Sequence, residues 1–251
     1  MLARETNSWL SSRVEATLKL ENQVALITGG SSGIGYAIAE ALGSAGARVA
    51  ITGRNADRLA AAASALDAHP IRADVTREED IRRTWKEALD TFGQVDILVN
   101  NAGIGVFRNL VDMDRASFDQ VFATNVTGAM MMAREAARHF TERNGGNIVN
   151  IASTAGLRGA PRGTAYYASK FALRGMTECW RAELRPHNVR VFLINPSEVL
   201  TGFAHSAGIE QRDNTTKLHA GDIAHMVRAV LEMADRGFTT ELTVFATNPR
   251  D

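Results

Sequence analysis

Two hydrophobic periods alternate along this chain. Short apolar runs rich in β-branched residues recur at VALIT (24–28), RVAIT (48–52), PIRAD (70–74), VDILVN (95–100), NIVNIA (147–152), VRVFLIN (189–195) and ELTVFA (241–246). Continuous apolar runs of this length predict strands covered on both faces. Between them lie stretches rich in Ala, Leu, Glu and Arg, such as ADRLAAAASAL and REEDIRRTWKEALDTF, which predict helices. In GDIAHMVRAVLEMADRG, residues Ile223, Val227, Val230, Leu231 and Ala234 mark one apolar helical stripe. Strands that alternate with helices predict βαβ units. The expected architecture is α/β: a doubly wound parallel sheet of about seven strands, with helices on both faces and the ligand site at the carboxyl ends of the strands. Residues 1–20 precede the first strand as an arm, and 21–251 form the expected domain.

Composition narrows the function classes. A chain of 251 residues with 45% hydrophobic side chains suits one large α/β domain. Lys+Arg and Asp+Glu balance at 28 each, so neither nucleic acid nor an anionic membrane is an expected partner. The one cysteine, Cys179, rules out an internal disulfide and is expected to be packed. No apolar run is long enough to span a bilayer and the N-terminus lacks a signal-peptide core, so a soluble cytoplasmic protein is expected. His205, His219 and His225 do not share a ligand-like spacing, and no metal is expected.

Chemistry enters with the glycines. The first run leads into TGGSSGIG (Thr28 to Gly35) and then the helical YAIAEALGSAG, the strand–turn–helix setting of a dinucleotide site. Gly29 serves the tight turn, Gly33 the approach of a pyrophosphate, and Gly35 the packing of helix on strand. The phosphates would meet backbone N–H groups at the positive end of that helix. An NAD site usually has an acidic residue at the end of the second strand, to bond the ribose. Here the chain reads Ile51-Thr52-Gly53-Arg54, and a guanidinium suits a 2′-phosphate instead. NADP(H) is therefore expected over NAD(H).

The stretch TAYYASKFA poses a choice. Tyr166 lies four residues before Lys170 and Tyr167 three, so on a helix either ring can meet the ammonium. Spacing alone leaves the choice open.

Taken together, TGGSSGIG, NNAG (100–103), Asn125 in ATNVTG, Ser153 in NIASTAG and Y-x-x-x-K resemble the short-chain dehydrogenase/reductase family, in the family's order, from about residue 20 to 246. The general look is nearest its 3-oxoacyl-carrier-protein reductase-like members. The resemblance implies a Rossmann-type fold and selects Tyr166, which stands four before the lysine and thirteen after the serine. It implies a catalytic set of Asn125, Ser153, Tyr166 and Lys170. Tyr166 would be the general acid toward the developing alkoxide. The Lys170 ammonium would lower the phenol's pKa and bond the nicotinamide ribose. Ser153 would polarise the substrate oxygen, and Asn125, in the helix after the fourth strand, would support a water reaching Lys170. Singly, each has an ordinary structural use; jointly, the spacings favour catalysis.

The resemblance also implies cofactor contacts from Gly29, Ser31, Ser32, Gly33, Ile34 and Gly35 in the turn, Arg54, Asp74 and Val75 by the adenine, Asn101, Ala102 and Gly103, and Tyr166 and Lys170 themselves. Pro196, Val199 and Thr201 follow the sixth strand. There the family usually has Pro-Gly where this chain has Pro196-Ser197, which demands an ordinary φ < 0 at Ser197. Ile104 to Arg108, Thr154 to Arg162 and the segment after Thr201 would wall the pocket. The helices containing MMMAREAARHF and ALRGMTECWRAEL are apolar on more than one side, and relatives pair through them, so a homodimer or homotetramer is implied. The expected activity is reversible reduction of a ketone or 3-oxoacyl carbonyl. The alternatives are a non-catalytic NAD(P)-binding sensor and a pure scaffold.

Overall fold

The computed structural model describes residues 20–208 and 216–247. The arm expected over residues 1–20 lies outside these, except for Leu20, which is buried. Seven parallel strands form the main sheet: β1 (Val24–Ile27), β2 (Arg48–Gly53), β3 (His69–Arg72), β4 (Ile97–Asn100), β5 (Gly146–Ile151), β6 (Val189–Pro196) and, last in the chain, β9 (Glu241–Val244). Their order is β3-β2-β1-β4-β5-β6-β9. Chain order reverses between β1 and β4, and the carboxyl ends of those strands open the crevice that a doubly wound sheet offers a ligand.

Strand residues point alternately to two layers. Ala25 and Ile27 of β1 pack with Ile38 and Leu42 of α1 (Gly33–Gly43), Leu59 of α2 (Ala56–Leu66) and Ile223 and Val227 of α8 (Ala220–Leu231). Val24 and Leu26 face the other way, toward Ile81 and Trp85 of α3 (Glu78–Phe92) and Met132 and Phe140 of α5 (Ala129–Arg143). Burial on both faces explains why these strands read as unbroken apolar runs.

The remaining elements shape the crevice. Helix α4 (Arg115–Phe122) passes through a π-helical turn, Ala123–Gly128, into α5. Helix α6 (Thr164–Leu184) covers β5 and β6. After β6, two-residue strands β7 (Val199–Leu200) and β8 (Leu218–His219) pair in parallel around the short α7 (Gly202–Ser206). Such brief strands carry no readable period, and sequence reasoning missed them.

Boundaries differ from expectation for local reasons. β3 ends at Arg72, because the Asp80 carboxylate takes the Asp74 N–H at 2.9 Å and Asp74 itself bonds Thr76, turning the chain. α8 ends at Leu231, so Ala234 is exposed outside it. The cause is Arg190, whose guanidinium donates to the Leu231 carbonyl at 3.2 Å and the Met233 carbonyl at 3.0 Å, capping the helix from within the sheet. Cys179 is exposed on α6, not packed as expected. His219 starts α8, where its N–H donates to the Asp222 carboxylate at 2.8 Å. Among the described residues, no helix is long and apolar enough to cross a membrane.

Candidate active site

The glycine-rich turn is held from below. Asn101, just past β4, donates its side-chain amide to the carbonyls of Thr28 at 2.9 Å and Gly29 at 3.2 Å. Space there is tight: a Cβ on Gly35 would lie 2.4 Å from that amide nitrogen and 2.5 Å from the Gly29 carbonyl oxygen. Gly29 and Gly33 hold φ of 66° and 57°, where a side chain is strained. Ser31 is buried, Ser32 exposed and Ile34 half-buried. Ser32 caps α1 without using its hydroxyl, and no acid occupies the first turn. The N–H groups of an eleven-residue helix therefore meet no competing anion, so the turn fits a dinucleotide pyrophosphate.

The flanking positions converge on the same edge. Arg54 is exposed just beyond β2, and its carbonyl accepts from Arg72 Nε at 3.3 Å. Among the described residues, neither arginine has a carboxylate partner. The Asp74 carboxylate is engaged by Thr76, whose N–H and hydroxyl donate at 3.0 and 2.8 Å. Val75 is buried against Gly128, where a Cβ would stand 2.7 Å from the Val75 carbonyl oxygen. Thr201 reaches back to Gly33, 3.5 Å from where its Cβ would be. Val199 lies two residues earlier, in β7, and Ala102, after β4, donates its N–H to the Thr28 hydroxyl at 3.0 Å.

Asn125 and Lys170 meet around Gly103, with Tyr166 beside Lys170 and Ser153 beside Tyr166. A Cβ on Gly103 would lie 3.4 Å from Asn125 Oδ1 and 3.8 Å from Lys170 Nζ. Asn125 stands in the π-helical turn and not in a regular helix; a residue inserted there re-aims side chains, and this one points inward with 1% exposure. Its oxygen accepts from Ile104 N–H, while its amide donates to the Ile104 carbonyl at 2.9 Å and Ser169 Oγ at 3.0 Å. Ser169 Oγ in turn donates to the Tyr166 carbonyl at 2.6 Å. That bridge, invisible in the sequence, joins the loop after β4 to α6.

Ser153 is placed by the turn that follows β5. Its Oγ accepts from Ala155 N–H at 3.1 Å, donates to the Pro196 carbonyl at 3.4 Å, and lies near enough to the Tyr166 hydroxyl to favour its ionised form. Gly156 allows the approach, since a Cβ there would sit 3.0 Å from the Lys170 carbonyl oxygen. Ser197 holds no positive φ and donates its N–H to Val244 O at 2.8 Å, so the missing family glycine costs no strain.

Lys170 is 6% exposed, with Nζ 3.0 Å from the Ile151 carbonyl and 5.7 Å from the Tyr166 ring centre. Burial lowers its pKa to about 8. Tyr166 keeps part of its ring open, yet the packing around it pushes the hydroxyl up to about 12, opposed by the nearby Ser153 hydroxyl. The opposing influence comes from Ser153 and not, as expected, from Lys170. Tyr167 takes another course and lays its ring over Gly163, where a Cβ would be 2.2 Å away. Two rings that sequence reasoning did not single out flank Tyr166: Phe107 at 5.3 Å and Phe203 at 5.5 Å between centres. Chemically, the arrangement is two neighbouring hydroxyls near a buried amine, suited to hold an oxygen and pass it a proton.

Comparison with known proteins points the same way. The family model described as short chain dehydrogenase matches residues 23–212. A sorbitol dehydrogenase of Cereibacter sphaeroides is 37% identical over 235 residues, 91% of this chain and 90% of that protein. The sex determination protein tasselseed-2 of Zea mays is 37% identical over 206 residues; the match takes in 79% of this chain and only 61% of that protein. Among solved structures, the 3-ketoacyl-(acyl-carrier-protein) reductase of Brucella melitensis, complexed with NADH, superposes with a TM-score of 0.85 at 31% identity, covering 91% of this chain and 98% of that one. An alcohol dehydrogenase of the archaeon Thermococcus sibiricus, complexed with 5-hydroxy-NADP, gives 0.84 at 28% identity, with coverage of 91% and 98%.

Proposed function

Since the chain belongs to the short-chain dehydrogenase family, we propose that it is an NADPH-dependent oxidoreductase that reversibly reduces a ketone carbonyl to an alcohol, with Tyr166 as its general acid. The observation that carries this is Tyr166 with the buried Lys170 amine 5.7 Å from its ring centre and Ser153 beside its hydroxyl. The bound nicotinamide would supply the hydride. The protein's residues would do the rest. Ser153 orients the substrate oxygen, and Tyr166 donates the proton as charge develops there. A phenol held near 12 keeps its proton at neutral pH and is loaded for reduction. Lys170, near 8, is still charged at pH 7, and burial strengthens its pull on the developing phenolate. Asn125 acts by position, since its side chain is spent on Ile104 and Ser169.

Arg54 and Arg72, exposed at the ends of β2 and β3 and without carboxylate partners among the described residues, support the 2′-phosphate of NADPH over a bare ribose. The turn from Gly29 to Gly35, with Thr201 above it, would hold the pyrophosphate. Asp74 and Val75 would flank the adenine, and Asn101 to Gly103, Pro196 and Val199 the nicotinamide half. We take residues 21–251 as one catalytic domain working in a homodimer or homotetramer through α5 and α6, where Met130 and Phe171 are exposed. An unpaired cysteine suits the reducing cytoplasm. Likeness to a 3-ketoacyl reductase keeps 3-oxoacyl thioesters among the candidate substrates. The test is nicotinamide oxidation followed with NADPH and NADH over a ketone panel, beside Arg54→Ala. Preference for NADPH that falls in the variant supports the reading. Equal use of NADH overturns the cofactor assignment, and tight nucleotide binding with no turnover supports a sensor instead.

A further inference from the structure

The rings around Tyr166 say something about what approaches it. Phe107 and Phe203 flank Tyr166 at 5.3 and 5.5 Å, tilted 47° and 49° to it. They converge above Gly105: a Cβ there would lie 2.7 Å from the Phe107 ring and 2.9 Å from the Phe203 ring. The absence of a side chain at 105 is thus what lets the two rings close in on either side of the phenol. All three rings are only partly buried, so each leaves apolar surface uncovered beside the hydroxyl pair.

Both rings stand on restrained backbone. The Phe107 carbonyl accepts from Arg162 Nη2 at 3.4 Å, and the next N–H, of Arg108, donates to the Arg162 carbonyl at 2.9 Å. Phe203 opens α7, where its N–H donates to Thr201 Oγ1 at 3.3 Å. Rings held in place in advance lose little freedom on binding. The two hydroxyls would fix a carbonyl, while the uncovered surface of the rings favours a flat or cyclic apolar partner in offset or edge contact. A polyhydroxylated chain against the same rings would lose its hydrogen bonds to water with no replacement from them.

We propose that the substrate carries an aryl or cycloalkyl group beside its carbonyl, seated in a slot against the uncovered surface of Phe107 and Phe203. This rests on Tyr166 being the general acid. The experiment compares kcat/KM for acetophenone, cyclohexanone, 2-butanone, fructose and an open-chain 3-oxoacyl thioester in the wild type, Phe107→Ala, Phe203→Ala and the volume-retaining Phe203→Leu. Calorimetric titration of 1-phenylethanol with NADPH present, a pair that does not react, is run on the same proteins and on Tyr166→Phe. The expected result is a clear wild-type preference for the cyclic ketones over 2-butanone, a ratio that falls about 10-fold in each phenylalanine variant, and parallel weakening of 1-phenylethanol binding. Faster turnover of fructose or the thioester overturns the proposal, as does a ratio that stays constant in the variants. If Tyr166→Phe retains turnover, the acid assignment falls. The slot is then judged by the titration alone, where equal binding to wild type and Phe203→Leu would sink it.

Discussion

Lys170 and Tyr166 are displaced in opposite directions by the same burial, and that has a measurable consequence in the unliganded chain. Lys170 falls from its ordinary 10.5 to about 8. The folded chain therefore releases its proton before the unfolded chain does, and stability rises as pH climbs through about 8 toward 10.5. Tyr166 does the reverse: raised from 10.0 to about 12, it takes stability away only above pH 10. Urea unfolding between pH 7.5 and 9.5 should show the rise, and Lys170→Met should flatten it. The same titration bears on catalysis, because kcat/KM for reduction should decline above about pH 8 as the lysine discharges. A flat profile to pH 10 would remove Lys170 from the mechanism. Ser169 offers a second test. Ser169→Ala breaks the bridge between Asn125 and the Tyr166 carbonyl and strands a buried amide hydrogen, with an expected loss of about 1–3 kcal/mol. An unchanged urea midpoint would contradict the bridge.

At the scale of elements, what repeats within a segment was legible and what depends on distant segments was not. All seven strands of the main sheet were visible as runs, the inner ones because burial on two faces keeps most of their positions apolar. The Y-x-x-x-K spacing put Tyr166 and Lys170 on one helical face, which α6 bears out. The π-helical turn at Ala123–Gly128 was not legible, because one extra residue per turn changes no residue type. Phe107 and Phe203 fell only within the expected pocket walls, and Ser169 and Arg72 were not singled out, because their significance lies in contacts across 18 to 59 positions of sequence. The glycine-rich turn allows a direct check. Gly35→Ala should press on Asn101 and the Gly29 carbonyl, which cannot both retreat, and cost about 1–3 kcal/mol. NADPH binding, read by fluorescence titration, should weaken with it; full retention of both would contradict the packing described for the turn.

For the whole molecule, the surface between α5 and α6 is the part least explained by a single chain. Met130, Ala133, Ala137, Trp180 and Leu184 line a groove there, and Met130 is 36% exposed. If copies of the chain meet on this face, Met130→Asp should lower the mass seen by light scattering and slow no step at Tyr166 directly. A wild-type monomer at micromolar concentration would contradict that assembly. The account as a whole turns on one tyrosine. Nicotinamide oxidation by wild type, Tyr166→Phe and Tyr167→Phe, each with NADPH and the best ketone, tests it most directly. Loss of about 100-fold or more confined to Tyr166→Phe is the predicted result. Comparable loss in Tyr167→Phe, or near-full activity in Tyr166→Phe, would contradict it.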